Sequence, residues 1–445
     1  MSVFKAYDIR GIYPSQIDKE LAYKIGRGFV TFIGAKEVVV GHDARLSSPE
    51  LSTSLIKGIT DQGADVVDIG MVTTPMFNFV HAHIGYETGI MVTASHNPKE
   101  YNGFKMNRQG AEPLTGESGI QDIKELVEKN EFVAVDKKGR VHKKKHLQDY
   151  TSFVSELVRK DLRKDIEKLR VVVDVSNGVA GNTCTEVFRK LNISHFPLNF
   201  DPDGNFPNHD PNPLKGNSQE QTRQMVKEQE ADLGCIFDAD ADRIIFVDDK
   251  GNTIIPDIVA ALISKRVLKN NKGEKIIYDC ISSKIIPKTI KDNGGIPIVT
   301  RVGRSYIYQS AKKEDVIFGL EASSHYYYRE VYHSDNGLLT LLRMMELIVE
   351  EGKPISEIAK PFYKYSQSGE INLEVDDKDG KIEEIAETFS DYDISRLDGI
   401  EVDTGDVWFT VRKSNTEPVL RIRIEAETEE LVENMKEKLL LMLQK

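Results

Sequence analysis

The sequence predicts an α/β protein of several domains, in which three similar mixed-sheet α/β domains precede a smaller C-terminal α+β domain. Two observations carry this prediction. The order strand, polar or acidic turn, helix, glycine and strand occurs three times along the chain. Past residue 365 this order gives way to two strand-like runs between two helices. A length of 445 residues fits three or four domains, if each holds about 100–150 residues.

The first copy of the pattern runs from the apolar stretch 37–40 to the stretch 64–70. The helix between them begins at Ser48-Pro49-Glu50, with serine predicted as its N-cap and proline in its first turn, and it ends before Gly63. A strand, a helix and a strand in this order imply parallel strands joined by a right-handed crossover.

The second copy begins at residues 169–174, and the third begins at Lys275–Asp279 and returns as Ile296–Thr300. Residues 147–162 are predicted to form a helix that links the first two copies. In the last part of the chain we predict helices over 382–389 and 429–443, with strands over 407–411 and 419–426. These patterns place the predicted domains at residues 1–150, 151–252, 253–365 and 366–445.

Two stretches between the copies stand out by composition. Residues 137–146 are rich in lysine and are predicted to form a solvated turn and an edge strand. Residues 201–213 are rich in aspartate, asparagine and proline and form a long predicted loop. Loops of this length in a compact protein are usually functional or mobile.

The composition excludes several classes of protein. A net charge of −12 argues against a nucleic-acid-binding protein, which needs a basic face, but not against small anionic substrates. The three cysteines form no CxxC pair, so neither a zinc site nor a disulfide framework is expected. The first residues lack the apolar core of a signal peptide, and no stretch is apolar enough to span a membrane. We expect a cytoplasmic protein with neither nucleic acid nor membrane as a partner, and a monomer or small homo-oligomer.

The first candidate site is the sequence Thr93-Ala94-Ser95-His96-Asn97-Pro98, followed by Lys105. The apolar run before it predicts a buried strand, so Ser95 lies in the turn at the carboxyl end of that strand. Open α/β sheets place their chemistry at this end of the strands. Taken alone, the stretch fits a phosphate site and an ordinary polar turn about equally well.

The second candidate site has an aspartate at every second position, at Asp238, Asp240 and Asp242, with Arg243 next. In extended backbone alternate residues face the same way, so three carboxylates would meet at one point. Oxygen ligands of this kind favour Mg²⁺ or Ca²⁺ over zinc. An EF-hand is disfavoured because Arg243 stands where its loop needs glycine. A phosphatase-type DxD motif is a second alternative, but it gives no reason for a third aspartate followed by an arginine. An acidic surface turn is the third alternative.

Two further stretches carry groups suited to a phosphosugar. Between the last two predicted strands lie Arg412, Lys413, Ser414, Asn415 and Thr416, whose cations and hydrogen-bond donors can clamp a phosphate, although a charged hairpin turn explains them equally well. In the third copy, Glu321, Ser323 and His325 can read sugar hydroxyls, or they belong to an ordinary loop.

The four stretches follow one another in the chain, one in each predicted domain. In this order they resemble the α-D-phosphohexomutase superfamily over essentially the whole chain. TASHNP is similar to its phosphoserine loop, DADADR to its metal loop, GLEASSH to its sugar-binding loop and RKSNTEP to its phosphate-binding loop. The opening FKAYDIRG resembles the phosphomannomutase/phosphoglucomutase branch. The resemblance implies four domains around a central cleft, the last with a TATA-binding-protein-like fold.

The resemblance also implies a mechanism. Ser95 would carry a phosphate and, together with Asp238, Asp240 and Asp242, would hold one Mg²⁺. A hexose 1-phosphate of mannose or glucose would become the 6-phosphate through a hexose 1,6-bisphosphate, which also serves as activator. By analogy with the family, the reacting phosphate and its protons are served by Arg10, His96, Lys105 and Arg243. The substrate would be held by Tyr7, Arg304, Glu321, Ser323, His325, Arg412, Ser414, Asn415 and Thr416.

Some positions depart from the family pattern. Ser324 stands where relatives commonly have glycine, and Arg304 where many have histidine. Many relatives also have a lysine early in the turn after the first strand of the third copy, and here Lys284 is the residue that could substitute for it.

Two other functions also fit the sequence. One is that of a phosphoglucosamine mutase, which the Tyr7–Arg10 opening disfavours. The other is that of a non-catalytic protein that binds a divalent cation or a sugar phosphate, which would have no need of Ser95 and Lys105.

Overall fold

A computed structural model describes residues 3–414 and 419–444. The chain builds four β-sheets in succession, and each sheet with its helices is called a unit below. The first three sheets mix parallel and antiparallel strands, whereas every pairing in the fourth is antiparallel. The predicted fold class is thereby confirmed.

The first unit holds a seven-stranded sheet covered by helices. Its helices are amphipathic, with the buried residues of each on one side of the helix. The elements in chain order are β1 (Ile9–Ile12), α1 (Lys19–Ile33), β2 (Glu37–His42), α2 (Ser48–Asp61), β3 (Asp65–Met71), α3 (Thr74–Phe79), β4 (Gly89–Val92), β5 (Tyr101–Arg108), β6 (Glu112–Pro113), α4 (Gln121–Lys129) and β7 (Val141–Lys143).

The second and third units each hold a five-stranded sheet. The second contains α5 (Leu147–Glu156), α6 (Arg163–Ile166), β8 (Val171–Asp174), α7 (Ala180–Leu191), β9 (His195–Leu198), α8 (Glu220–Glu228), β10 (Leu233–Phe237), β11 (Ile244–Val247) and β12 (Thr253–Ile254). The third contains α9 (Pro256–Lys269), β13 (Lys275–Asp279), α10 (Ile285–Asp292), β14 (Ile296–Thr300), α11 (Arg304–Glu314), β15 (Phe318–Leu320), β16 (Tyr326–Tyr328), β17 (Ser334–Asp335), α12 (Gly337–Glu351) and α13 (Ile355–Ala359).

The fourth unit is a six-stranded sheet with two long helices. Its own apolar core joins residues of both helices to the inner strands. The elements are β18 (Ser366–Gln367), β19 (Ile371–Glu374), α14 (Lys378–Thr388), β20 (Asp393–Ser395), β21 (Ile400–Asp403), β22 (Val407–Lys413), β23 (Val419–Ala426) and α15 (Glu429–Gln444).

The first three sheets share one strand order, which places the candidate site loops at equivalent points. The neighbours run β3-β2-β4-β5 in the first sheet, β9-β8-β10-β11 in the second and β14-β13-β15-β16 in the third. In each, the first three of these strands are parallel and the fourth is antiparallel. The candidate site loops lie between the last two strands of each of these series. Ser95 lies between β4 and β5, the Asp238–Asp242 run between β10 and β11, and the Glu321–His325 run between β15 and β16.

Four details differ from the sequence prediction or refine it. The predicted helix over 147–162 stops at Glu156, because the backbone N–H of Arg159 donates to the buried carboxylate of Glu346 instead of continuing the helix. Ser48 lies inside α2 and is not its cap, since its hydroxyl donates to Asp43. Four strands of the fourth unit, β18, β19, β20 and β21, were not predicted. The lysine-rich run does form an exposed edge strand, β7, as predicted.

None of the helices in the described part of the chain combines the length and the apolar character that a bilayer crossing requires.

The crossing of α1 and α2 depends on glycine. A Cβ on Gly58 would lie 2.1 Å from the carbonyl oxygen of Tyr23, so the two backbones touch there. We expect Gly58→Ala to lower the free energy of unfolding by about 1–3 kcal/mol, because the helices must separate. Chemical denaturation measures this. Gly216→Ala is the control, since a Cβ there meets nothing within 4 Å; an equal effect of both variants would contradict the prediction.

Candidate active site

The serine loop, residues 93–98, follows β4 at the carboxyl end of the parallel strands. Ser95 is only 2% exposed and has a φ of 50°, in the left-handed region. Its N–H donates to Oγ1 of Thr93, at 2.9 Å, and this bond stabilises the turn. Its hydroxyl donates to Oδ2 of Asp238 in the second unit, at 3.1 Å.

Arg45, which sequence reasoning missed, holds the serine loop from behind. Its side chain is fully buried, and Nε donates to Asp43 at 3.1 Å. Its Nη atoms donate to the four carbonyl oxygens of Ser95 (2.6 Å), Asn97 (2.6 Å), Pro98 (2.7 Å) and Tyr101 (3.0 Å). All five N–H donors of the guanidinium are thus used, which fixes the loop backbone.

The acidic loop between β10 and β11 brings three carboxylates together. Asp238, Asp240 and Asp242 are fully buried, and one oxygen from each lies within 4.8 Å of the others. The convergence was predicted, but the extended backbone expected to produce it was wrong. The chain turns here, with Ala241 at a φ of 64° and its N–H bonded to the carbonyl oxygen of Asp238.

Residues of the first unit hold these carboxylates in place. Nζ of Lys105 lies 2.6 Å from Oδ2 of Asp240 and 2.6 Å from Oδ2 of Asp242. Thr74 supports Asp240 twice, because its hydroxyl donates to Oδ2 at 2.7 Å and its N–H donates to the backbone carbonyl at 2.9 Å. The acidic loop is therefore built at the contact of two units.

The acidic loop fits a hard divalent cation. Its candidate ligands are all oxygens, and Oδ1 of Asp240 is buried without a hydrogen-bond partner among the described residues. Burial, with the charges of Asp242 and Asp240, raises the pKa of Asp238 well above its usual value. For Asp242, burial acts to raise the pKa, but the charges of Lys105 and His325 act more strongly in the opposite direction. The pKa of Asp242 is therefore lowered.

The other predicted reaction residues surround Ser95. Arg10 donates from Nη1 to Oδ1 of Asn97, at 2.7 Å. Nδ1 of His96 lies 3.4 Å from Oγ of Ser95. Burial, with the charges of Arg243 and Arg10, lowers the pKa of His96 well below its usual value, so the imidazole is neutral. Nε of Arg243 lies 3.9 Å from Oδ2 of Asp238.

The sugar loop, residues 321–325, meets the acidic loop from the third unit. His325 is 3.3 Å from Oδ1 of Asp242 through Nε2 and 2.9 Å from Oε2 of Glu321 through Nδ1. Ser323 donates to the same Glu321 oxygen at 2.8 Å. Oε1 of Glu321 is buried without a hydrogen-bond partner in the described part of the chain, so this acceptor is available to a ligand hydroxyl. Ser324 adopts a φ of 70°, which explains why glycine suits this position.

Arg304 and Tyr7 lie at the contact of the first and third units. Arg304 makes two bonds to Asp335, 2.7 Å from Nε and 3.1 Å from Nη2. The hydroxyl of Tyr7 lies 3.3 Å from the carbonyl oxygen of Val302, and its ring contacts Tyr306 edge-on at 5.8 Å. Arg304 is therefore held by a carboxylate that the sequence analysis did not single out.

The fourth unit contributes Arg412 and Ser414. Arg412 is buried, with Nη2 3.8 Å from Glu370, and the N–H of Ser414 donates to the carbonyl oxygen of Val419. Asn415 and Thr416 lie outside the described residues. Lys284 does not face the serine loop; it joins the third unit to the fourth through Asp403, at 2.5 Å.

An aspartate lies at or just after the end of the first strand in each copy of the repeated pattern, and this regularity is visible in the sequence. The three residues are Asp43 after β2, Asp174 at the end of β8 and Asp279 at the end of β13. Asp43 accepts from the hydroxyl of Thr93 at 2.7 Å, and Asp279 accepts from the N–H of Ala322 at 3.1 Å. The acidic turn of the repeat therefore orients the serine loop in the first unit and the sugar loop in the third.

The protein is built of four units, and its buried acidic cluster faces a serine, a lysine and several arginines. Comparison with profiles of known protein families identifies the class of protein that has this architecture. Profiles of the phosphoglucomutase/phosphomannomutase α/β/α domains I, II and III match residues 1–134, 148–251 and 255–365, and the C-terminal domain profile matches residues 370–442. The chain belongs to the phosphoglucomutase/phosphomannomutase family and is an isomerase.

Individual relatives resemble the chain over its whole length. A phosphomannomutase of Escherichia coli strain K12 is 35% identical over 436 residues, covering 96% of this chain and 95% of the relative. A phosphomannomutase of Methanocaldococcus jannaschii is 37% identical over 440 residues, covering 98% and 96%. The crystal structure of a phosphoglucomutase/phosphomannomutase family protein from Burkholderia thailandensis superimposes with a TM-score of 0.91 at 30% identity, covering 100% of this chain and 97% of that one.

Proposed function

We propose that the protein interconverts hexose 1-phosphate and hexose 6-phosphate, of mannose, glucose or both, through a phosphorylated Ser95. The observation that carries the proposal is the 3.1 Å contact of the Ser95 hydroxyl with Asp238, beside a lysine and two other buried carboxylates. A serine hydroxyl without a strong base nearby is a poor nucleophile, but a phosphoserine is a good donor. The relatives named as phosphomannomutases support the class of substrate.

The reaction has two phosphoryl transfers. In the first, the phosphoryl group leaves Oγ of Ser95 and bonds to the free hydroxyl of the sugar phosphate, whose proton is released. Oγ of Ser95 takes a proton in its place. The sugar bisphosphate then turns over, the bond between its other phosphoryl group and the sugar oxygen breaks, that oxygen takes a proton, and the phosphoryl group bonds to Oγ of Ser95, which gives its proton up. The neutral imidazole of His96, 3.4 Å from that oxygen, can take up or return the proton. Phosphoryl transfer depends chiefly on positioning and on neutralising charge, which are the tasks of Arg10 and Arg243.

Mg²⁺ fits the acidic loop, where Asp238, Asp240, Asp242 and an oxygen on Ser95 would hold it. When bound, it supplies positive charge that stabilises the transferring phosphoryl group. In the sugar loop, Oε1 of Glu321, which lacks a hydrogen-bond partner among the described residues, would accept from a sugar hydroxyl. In the fourth unit we propose that Arg412, with Ser414, Asn415 and Thr416, grips the phosphate that is not reacting.

A substrate panel tests the proposed function. The chain is assayed with the 1-phosphates of mannose, glucose and glucosamine, in Mg²⁺ and with a trace of hexose 1,6-bisphosphate as activator. We expect turnover of mannose or glucose 1-phosphate. Turnover of glucosamine 1-phosphate alone would favour a phosphoglucosamine mutase. Binding of sugar phosphates without turnover of any of the three would favour a non-catalytic binding protein.

The acidic loop should make stability depend on Mg²⁺. At a concentration about 100 times Kd, a cation that binds only the folded chain adds about 2.7 kcal/mol to the free energy of unfolding. We expect Mg²⁺ to raise the Tm of the wild-type chain after treatment with a chelator, and Asp240→Asn to lose most of the rise. Glu228→Gln, which removes an exposed carboxylate of the same unit, should keep it. Equal shifts in all three proteins would place the cation elsewhere.

A further inference from the structure

Residues 201–213, which we call the bridging loop, extend from the second unit to the first. Gly204 lies against the backbone next to Arg45: a Cβ there would be 2.5 Å from the N of Leu46 and 2.6 Å from the carbonyl oxygen of Ala44. The loop that the sequence marked as unusually long is therefore packed on the segment that carries Arg45. Nothing in the mechanism above uses it.

Phe206 connects the bridging loop to Arg45. The residue is 7% exposed, and its ring covers the guanidinium of Arg45, with 5.2 Å between the Arg45 Cζ and the ring centroid. All five N–H donors of that guanidinium point in its plane to backbone carbonyls and Asp43. An aromatic face over a buried guanidinium stabilises the cation where hydrogen bonds do not reach. Phe206 thus fixes the plane of the group that fixes the serine loop.

The bridging loop is itself fastened to the second unit. The N–H of Asp203 donates to the carbonyl oxygen of Asn177, at 2.9 Å, and the side chain of Asn177 donates to the carbonyl oxygen of Asp201, at 3.0 Å. His209 contacts two acceptors, Oδ2 of Asp174 at 3.0 Å and the carbonyl oxygen of Asp210 at 2.9 Å. These contacts hold both ends of the loop on the turn that follows β8.

The same turn supports the acidic loop. The N–H of Val179 donates to the carbonyl oxygen of Ala239, at 3.0 Å. Gly178 allows this approach, since a Cβ there would lie 2.4 Å from the same oxygen. One turn of the second unit therefore supports the acidic loop directly and the serine loop through Phe206 and Arg45.

We propose that Phe206 is a positioning residue for the reaction at Ser95, and that the bridging loop keeps the serine loop and the acidic loop in register across the two units. The proposal rests on the proposed function for its effect on turnover. Near-attack geometry is sensitive to displacements of about 1 Å. Loss of the ring should therefore slow phosphoryl transfer without weakening the grip on the sugar.

The test compares Phe206→Leu and Phe206→Tyr with a matched control, Phe196→Leu. Phe196 also lies beside an arginine of the second unit, with its ring 5.5 Å from Cζ of Arg170, but it is in the edge strand β9 and packs against the apolar cluster that includes Val172 and Ile236. We expect Phe206→Leu to lower kcat about tenfold with KM changed less than about twofold, and Phe206→Tyr to keep most of the activity. Phe196→Leu should keep kcat.

A second readout needs no substrate. Hydrogen exchange followed by mass spectrometry should be faster in the peptide over 94–103 of Phe206→Leu than in the wild type, and unchanged in Phe196→Leu. Wild-type kcat or wild-type exchange in Phe206→Leu would overturn the proposal, as would equal losses in Phe196→Leu. If the wild-type chain has no mutase activity, the proposed function fails, whereas the exchange comparison still decides whether Phe206 holds the serine loop.

Discussion

Ser95→Ala is expected to lower kcat/KM by at least about 10,000-fold, because it removes the atom that carries the phosphoryl group. The variant should remain folded. Both residues have a Cβ in the left-handed backbone conformation of position 95, so the strain is the same, and the substitution removes the hydroxyl contacts with Asp238 and His96. Adding hexose 1,6-bisphosphate should not restore turnover, since the variant has no acceptor for the second transfer. Steady-state kinetics with and without the bisphosphate measures this.

A control separates the loss of a carrier from a general effect of the substitution. Ser52→Ala removes a buried serine from α2 of the same unit, away from the site loops. It should keep the wild-type kcat and should be phosphorylated like the wild type when its intact mass is measured. Full activity of Ser95→Ala in the presence of the bisphosphate would contradict the phosphoserine mechanism.

Lys105→Met is expected to have the second largest effect. The ammonium of Lys105 lies 2.6 Å from both Asp240 and Asp242, and its removal leaves buried carboxylates without their nearest cation. Breaking a buried ion pair from one side costs about 3–5 kcal/mol. We expect the metal-free variant to lose about this much free energy of unfolding, and turnover to fall sharply. Mg²⁺ should raise the free energy of unfolding more in the variant than in the wild type, because in the variant Mg²⁺ neutralises carboxylate charge that Lys105 neutralises in the wild type.

Chemical denaturation with and without Mg²⁺ tests this second prediction. Lys275→Met is the control, since Lys275 also pairs with a carboxylate, Glu314, but the pair is about a third exposed. It should cost at most about 1 kcal/mol and show no extra response to Mg²⁺. A stable metal-free Lys105→Met with an unchanged response to Mg²⁺ would show that Lys105 does not neutralise the acidic loop.

Much of the architecture could be predicted from the sequence, because each element of the repeated pattern is determined by residues that are close together in the chain. The strands that lead to Asp43, Asp174 and Asp279, and the turns that follow those strands, are each set by neighbouring residues. The same holds for the run of aspartates at 238–242. The expected convergence of the three carboxylates held even though the backbone turns there, since a tight turn also brings alternate side chains together. Short-range patterns therefore predicted the site loops and the order of the units.

What the sequence could not predict depends on contacts between distant residues. Thr74 supports Asp240 from 166 positions away, and Arg304 is held by Asp335 of strand β17. The role of Arg45 emerges only when three carbonyl oxygens of the serine loop and that of Tyr101 are seen around its guanidinium. The helix over 147–162 was predicted too long for the same reason, because Glu346 of α12 intercepts the N–H of Arg159.

The most direct measurement follows the phosphoryl group in a single turnover. The chain is labelled with radioactive phosphate on Ser95, freed of bisphosphate and mixed in Mg²⁺ with unlabelled hexose 1-phosphate. We expect the label to leave the protein and to appear on the 6-hydroxyl of the sugar, while an unlabelled phosphoryl group from position 1 takes its place on Ser95. Formation of hexose 6-phosphate while the label stays on Ser95 would contradict this expectation.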